Sequence, residues 1–168
     1  MNIVFHDQEF DKKMLEKFVD AVNSPDEIVN IFLYSEGGHV SVMEVMINII
    51  NQYPERFRLV GYSDLCSCAF EMYMRVKCQK SLVPGTIGMY HQTLSDITMN
   101  DRMKPVYAID KANMHKKKNH FLPTTVEFMN QCEFTDKEKK RVKKGHDVYF
   151  QYDRFKEIEN AYTKNTQL

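Results

Sequence analysis

Apolar positions along the chain change their period in a regular way. Ile3-Val4-Phe5 is a short apolar run and predicts a strand. Phe10, Met14, Phe18, Val19 and Val22 then recur at helical spacing until Asn23-Ser24-Pro25 ends the pattern. From Ile28 to Tyr34 nearly every position is apolar, as in a strand of a sheet buried on both faces. Gly37-Gly38 turns the chain into a helix from about Val40 to Gln52. Phe57 to Gly61 predicts a third strand, followed by a helix from about Ser67 to Arg75. Ser81 to Tyr90 holds one or two further strands, interrupted at Pro84-Gly85.

The order is β-α-β-α-β-α-β, the alternation of a parallel α/β sheet with right-handed crossovers. The second half differs. His91 to Asn100 is polar and loop-like, and helices are expected over about 105–118, 124–132 and 136–144. Thr135-Asp-Lys-Glu138 has the spacing of a capping box, and Gly145 is placed to stop that helix. A short strand at Val148-Tyr-Phe150 and a helix from about Asp153 to Tyr162 complete the pattern. No repeat or low-complexity linker divides the chain, so residues 1–168 are read as one domain.

The 40–52 helix carries Val40, Val42, Met43, Val45, Met46, Ile47, Ile49 and Ile50. That exceeds one apolar stripe. It is either sandwiched within the domain or meets another subunit.

Composition narrows the function classes. Net charge is zero, so bulk electrostatics gives no reason to expect nucleic-acid binding. Between Asp101 and Asp147 there are 12 Lys/Arg against 7 Asp/Glu, which reads as solvated helix faces. Cys66, Cys68, Cys78 and Cys132 lack the spacing of a disulfide framework or a zinc site, as reduced cytoplasmic thiols would. No apolar run approaches the roughly 20 residues of a membrane span, and no secretory signal opens the chain. Neither a metal nor a cofactor is expected.

Three short segments carry candidate chemistry. Ser67 lies between a strand and a helix, where its hydroxyl would project from a sharp turn. The next amide, Cys68 N–H, would point towards a reacting carbonyl, with the helix dipole behind it. Gly38 has no side chain to block close approach, so its N–H could supply a second donor. His91 ends an apolar strand and opens a polar loop, the best placed of the six histidines to act as a base. His115 and His120 flank a lysine run, and His6, His39 and His146 have no evident acid partner. Read separately, Ser67 could be an ordinary helix N-cap and Gly37-Gly38 an ordinary turn.

In this order the segments resemble the proteolytic subunit of Clp protease and its phage-type relatives. That family carries a strand ending in Ser-Pro-Gly-Gly-x, then Gly-x-Ala-Ala-Ser-Met-Gly, then Met-Ile-His-Gln, then an Asp before an aromatic. The counterparts here are Ser35-Glu36-Gly37-Gly38-His39, Leu65-Cys66-Ser67-Cys68-Ala69, Met89-Tyr90-His91-Gln92 and Asp147-Val-Tyr-Phe150. The resemblance implies a ClpP/crotonase-like α/β fold of repeated β-α-β units. About 1–92 and 145–168 would form its core, and about 93–144 a protruding helical handle. It implies a serine endopeptidase with Ser67 as nucleophile, His91 as base and Asp147 as orienting acid, Asp153 and Asp136 being the alternatives. The amides of Gly38 and Cys68 would form the oxyanion hole. Peptides or unfolded proteins would be the substrates, bound by strand addition, and the chain would form homo-oligomeric rings.

The chain departs from that pattern at several places. Glu36 replaces a proline, Ala69 a glycine, and Thr93 a common proline. The interval from Gly61 to Ser67 is two residues longer, which makes Ser63 an alternative nucleophile. The chain begins almost at its first core strand, so an unfoldase partner that docks on the family's N-terminal segment is not implied. Two other functions fit the same fold: an inactive scaffold subunit and a crotonase-type acyl-CoA enzyme.

Overall fold

The computed structural model describes residues 1–25, 27–91 and 123–166. Strands β1 (Asn2–Phe5), β2 (Val29–Ser35) and β3 (Phe57–Cys66) alternate with helices α1 (Lys12–Val22), α2 (Val40–Gln52) and α3 (Cys68–Arg75). Strands β4 (Gln79–Leu82) and β5 (Ile87–Tyr90) follow. Helices α4 (Pro123–Gln131) and α5 (Asp136–Lys143), strand β6 (Val148–Phe150) and helix α6 (Tyr152–Thr166) complete the described chain. The sheet runs β1-β2-β3-β5-β6, with β4 also pairing to β3. All its pairings are parallel except β5 with β6. The expected 105–118 helix lies outside the described residues.

Strand β2 corrects one expectation. Val29, Ile31, Leu33 and Ser35 are buried, but Asn30, Phe32 and Tyr34 are only half-buried. The core-facing residues of the strands join a single cluster with α1, α2 and α3, whereas the opposite face, with Val4 54% exposed, is open among the described residues. The apolar run is therefore buried on one face only. On the other face Phe32 lines an apolar sheet surface together with Val4 of β1 and Tyr62 of β3.

Helix α2 is largely sandwiched. Val42, Met43, Met46, Ile47 and Ile50 are buried, and Val45 remains exposed. Within the stretch expected to form the handle, α4 and α5 pack on the core. Phe128, Met129, Cys132, Phe134 and Val142 are all buried with it. Helix α5 begins with the expected capping box: Glu138 N–H donates to Thr135 Oγ1, and Thr135 N–H to Glu138 Oε2. It ends in a Schellman arrangement, with Gly145 at φ +77°, its N–H bonded to the Val142 carbonyl, and His146 N–H bonded to the Arg141 carbonyl.

Phe70 on α3 joins the two halves. Its ring centre lies 5.0 Å from Phe155, 5.4 Å from Phe150, 5.9 Å from Tyr90 and 6.5 Å from Phe134. The ring thus touches residues of β5, β6 and α6 and the α4–α5 connection at once. The C-terminal end of α3 is closed by Lys80 of β4, whose Nζ donates to the carbonyls of Tyr73 and Met74, each at 2.9 Å. All four cysteines are buried and unpaired. Among the described residues no helix is long and apolar enough to cross a membrane. Removing the central ring, Phe70→Ala, is expected to lower folding stability by about 3–5 kcal/mol, read from a denaturant unfolding curve. A loss below about 1 kcal/mol would show that Phe70 is not the hub.

Candidate functional site

Strand register brings three segment ends together. Cys66 pairs with Met89 in the parallel β3–β5 ladder, and Ser67 N–H donates to the Met89 carbonyl at 2.8 Å. His91 follows two residues later and therefore points to the same face as Met89. In the antiparallel β5–β6 ladder Met89 faces Tyr149 and Tyr90 faces Val148. One further step of that register sets His91 opposite Asp147. The side chains meet accordingly. His91 Nε2 lies 2.7 Å from Ser67 Oγ, and His91 Nδ1 lies 3.3 Å from Asp147 Oδ1.

Ser67 occupies a strained backbone position, φ +53° and ψ −116°, at the junction of β3 and α3. Such a conformation in a residue other than glycine costs about 1–3 kcal/mol and persists only where its surroundings enforce it. It stands where an N-cap would, yet its side chain makes no capping bond. The hydroxyl is directed at His91 instead, which removes the ordinary N-cap reading.

The glycine pair is forced by close approach. Gly37 has φ +113°, and a Cβ there would lie 2.7 Å from Ser67 Cβ. Gly38 has φ +142°, and a Cβ there would lie 2.5 Å from the Phe10 nitrogen. The Phe10 N–H donates to the Gly37 carbonyl, and His39 N–H donates to the Phe10 carbonyl, each at 2.8 Å. On its other flank the Gly38 carbonyl accepts from Cys68 Sγ at 3.2 Å. Gly38 is thus held between the Phe10 segment and the Ser67-Cys68 turn. The Gly38 and Cys68 N–H groups both lie beside the Cys68 thiol, whose ionised form they favour. In the sequence Ser35 is only the first residue of the Ser35–His39 segment, with no role of its own. Fully buried, it folds its hydroxyl back to accept from Gly37 N–H at 3.1 Å and so fixes the turn. Only its place directly before Glu36-Gly37-Gly38 could have signalled this.

The flanking thiols are chemically quiet. Burial first, then the carboxylates of Glu36, Asp64 and Asp147, push Cys66 up to about 12. Burial and Glu71 push Cys68 up to about 11. Both stay protonated near neutral pH, so neither competes as a nucleophile. Glu36 itself is exposed.

The alternatives lie elsewhere. Ser63 is exposed and donates to Asp64 at 3.2 Å. Asp136 and Asp153 occupy the first turns of α5 and α6. His6 pairs with the Tyr62 hydroxyl at 3.1 Å, His39 precedes α2 without capping it, and His146 is exposed. His115, His120, Gln92 and Thr93 lie outside the described residues. No group of three or more His, Cys, Asp or Glu able to hold a metal occurs among the described residues.

Gly38→Ala is expected to break the Phe10 pairing. It should cost about 2 kcal/mol or more of stability in denaturant melts, because a methyl there meets backbone that cannot move aside. A variant as stable as the parent would mean that the contact is loose.

No family model and no curated protein matches the chain. Among solved structures it is similar to a point mutant of ClpP1 from Listeria monocytogenes. The TM-score is 0.59 at 18% sequence identity, over 94% of this chain and 86% of that one. The likeness shows the architecture: this chain has a ClpP-like α/β fold.

Proposed function

We propose that the chain is a ClpP-like serine peptidase. The observation that carries this reading is the unbroken line from Ser67 Oγ through the His91 ring to Asp147, at 2.7 and 3.3 Å. In that reading Ser67 Oγ attacks the peptide carbonyl and His91 Nε2 takes its proton. Asp147 holds Nδ1–H and stabilises the imidazolium that forms. The Gly38 and Cys68 amides receive the negative oxygen. His91 then passes the proton to the leaving amine. Water, activated by the same ring, releases the acid and restores Ser67.

The rival readings explain less. A crotonase-type enzyme would use the two amides but leave the Ser67–His91–Asp147 line idle. A scaffold subunit would need neither that line nor the strain at Ser67. Ser67→Ala or His91→Ala should reduce peptide hydrolysis by about 10⁶-fold, and Asp147→Asn by about 10⁴-fold. A fluorophosphonate probe should label Ser67 in the parent and not in Ser67→Ala. Undiminished hydrolysis in Ser67→Ala, or no adduct on folded parent protein, sinks the proposal and leaves the scaffold reading in its place.

We also propose that the chain assembles with copies of itself. Support comes from the open apolar sheet face and from Val45, 42% exposed on α2. Light scattering should give a mass several times that of one chain, and a stable monomer would overturn this.

A further inference from the structure

A cavity of about 440 Å³ runs along α3 from Glu71 to Arg75, with Tyr90 and Phe128 in its wall. The segments that carry Gly38, Ser67 and His91 each contribute a nearby residue to its wall. Val40 follows Gly38 by two positions, and Tyr90 directly precedes His91. Glu71 lies one helical turn past Ser67, and its N–H donates to the Ser67 carbonyl at 3.0 Å. One turn of helix is about 5.4 Å, within reach of a long side chain on a peptide held at Ser67.

The lining divides by chemistry. Val40, Tyr90 and Phe128 are apolar, whereas Glu44, Glu71, Glu127 and Arg75 are charged. Arg75 Nη2 donates to Glu44 Oε2 at 2.9 Å, and Arg75 Nη1 donates to Glu71 Oε1 at 2.8 Å. One guanidinium therefore serves two carboxylates. Glu127, exposed on α4, accepts from Gln131 at 3.3 Å and carries a third. Burial raises the Glu71 carboxyl despite the opposing pull of Arg75, with Glu44 adding to the rise. The described lining is thus short of positive charge, and its single cation is already engaged.

We infer, resting on the peptidase reading above, that this cavity selects the substrate residue whose carbonyl Ser67 attacks, and that it selects lysine or arginine. The aliphatic stem would lie along Val40, Tyr90 and Phe128, and the charged end would meet Glu71 and Glu127. An acidic side chain meets like charge. An apolar one of equal length fills the space but leaves the carboxylates without a further cation.

The test is a set of fluorogenic peptides that differ only at that residue: lysine, arginine, norleucine or glutamate. At low salt, kcat/KM for lysine and arginine should exceed norleucine by about tenfold or more, with glutamate lowest. The lysine-to-norleucine ratio should fall about threefold or more in Glu127→Gln, and also in about 0.5 M salt, where exposed charges are screened. Glu71→Gln, which keeps the shape of the wall, should lower the ratio as well. Norleucine cleaved as well as lysine, or a ratio unmoved by both substitutions, overturns the inference. A fluorophosphonate adduct at Ser67 with no peptide of the set cleaved overturns the inference alone. No adduct and no cleavage overturns the peptidase reading and this inference together.

Discussion

The geometry of this site depends on one close contact, the packing of the Gly37-Gly38 turn against the Ser67 turn. The approach leaves no room for a methyl at either glycine. Ser67 is held from three sides. The Met89 carbonyl takes its N–H, Gly37 lies against its Cβ, and the α3 helix begins directly after it. Those restraints can hold a residue at φ +53° that would otherwise relax. Ser35 and Phe10 secure the glycine turn in its own place, by a buried hydroxyl and by two backbone hydrogen bonds. The strain is thus supported by segments distant in sequence, which is why the turn cannot be understood from residues 65–69 alone.

Much of this was legible because it was written in short-range chemistry. Periodicity placed α2 at Val40–Gln52, and Thr135 with Glu138 marked the start of α5. Gly37-Gly38 is a demand on backbone shape, and such demands are visible in a single sequence. Long-range polar contacts were not. Ser35 looks like any strand-end serine until its hydroxyl is seen to hold Gly37. Lys80 carries no local sign of a role, yet it closes the end of α3. Glu159 reads as one more helix charge, yet it is buried and accepts from the Tyr73 hydroxyl at 2.9 Å. Partners separated by 86 positions leave no local signal. The β2 run misled for a related reason: apolar content shows that a strand avoids water, not whether the same chain covers both of its faces.

The two extra residues between Gly61 and Ser67 show how the fold keeps the site in register. Leu33 pairs with Gly61 and Ser35 with Leu65, so four steps on β3 match two on β2. The surplus falls at Tyr62–Asp64, as a bulge with Ser63 at φ +55°. Below it β3 pairs with β4, and above it with β5. The bulge therefore lies at the hand-over between two neighbours, where no continuous ladder crosses it on that edge. From Leu65 onward the register is set afresh by Ser35 on one side and by Gly88 and Met89 on the other. Ser67 is positioned by those later pairings and not by the residue count from Gly61. An interval that breaks the expected spacing in sequence is thus compatible with a 2.7 Å contact at His91, because the irregularity is absorbed before the chain reaches the turn.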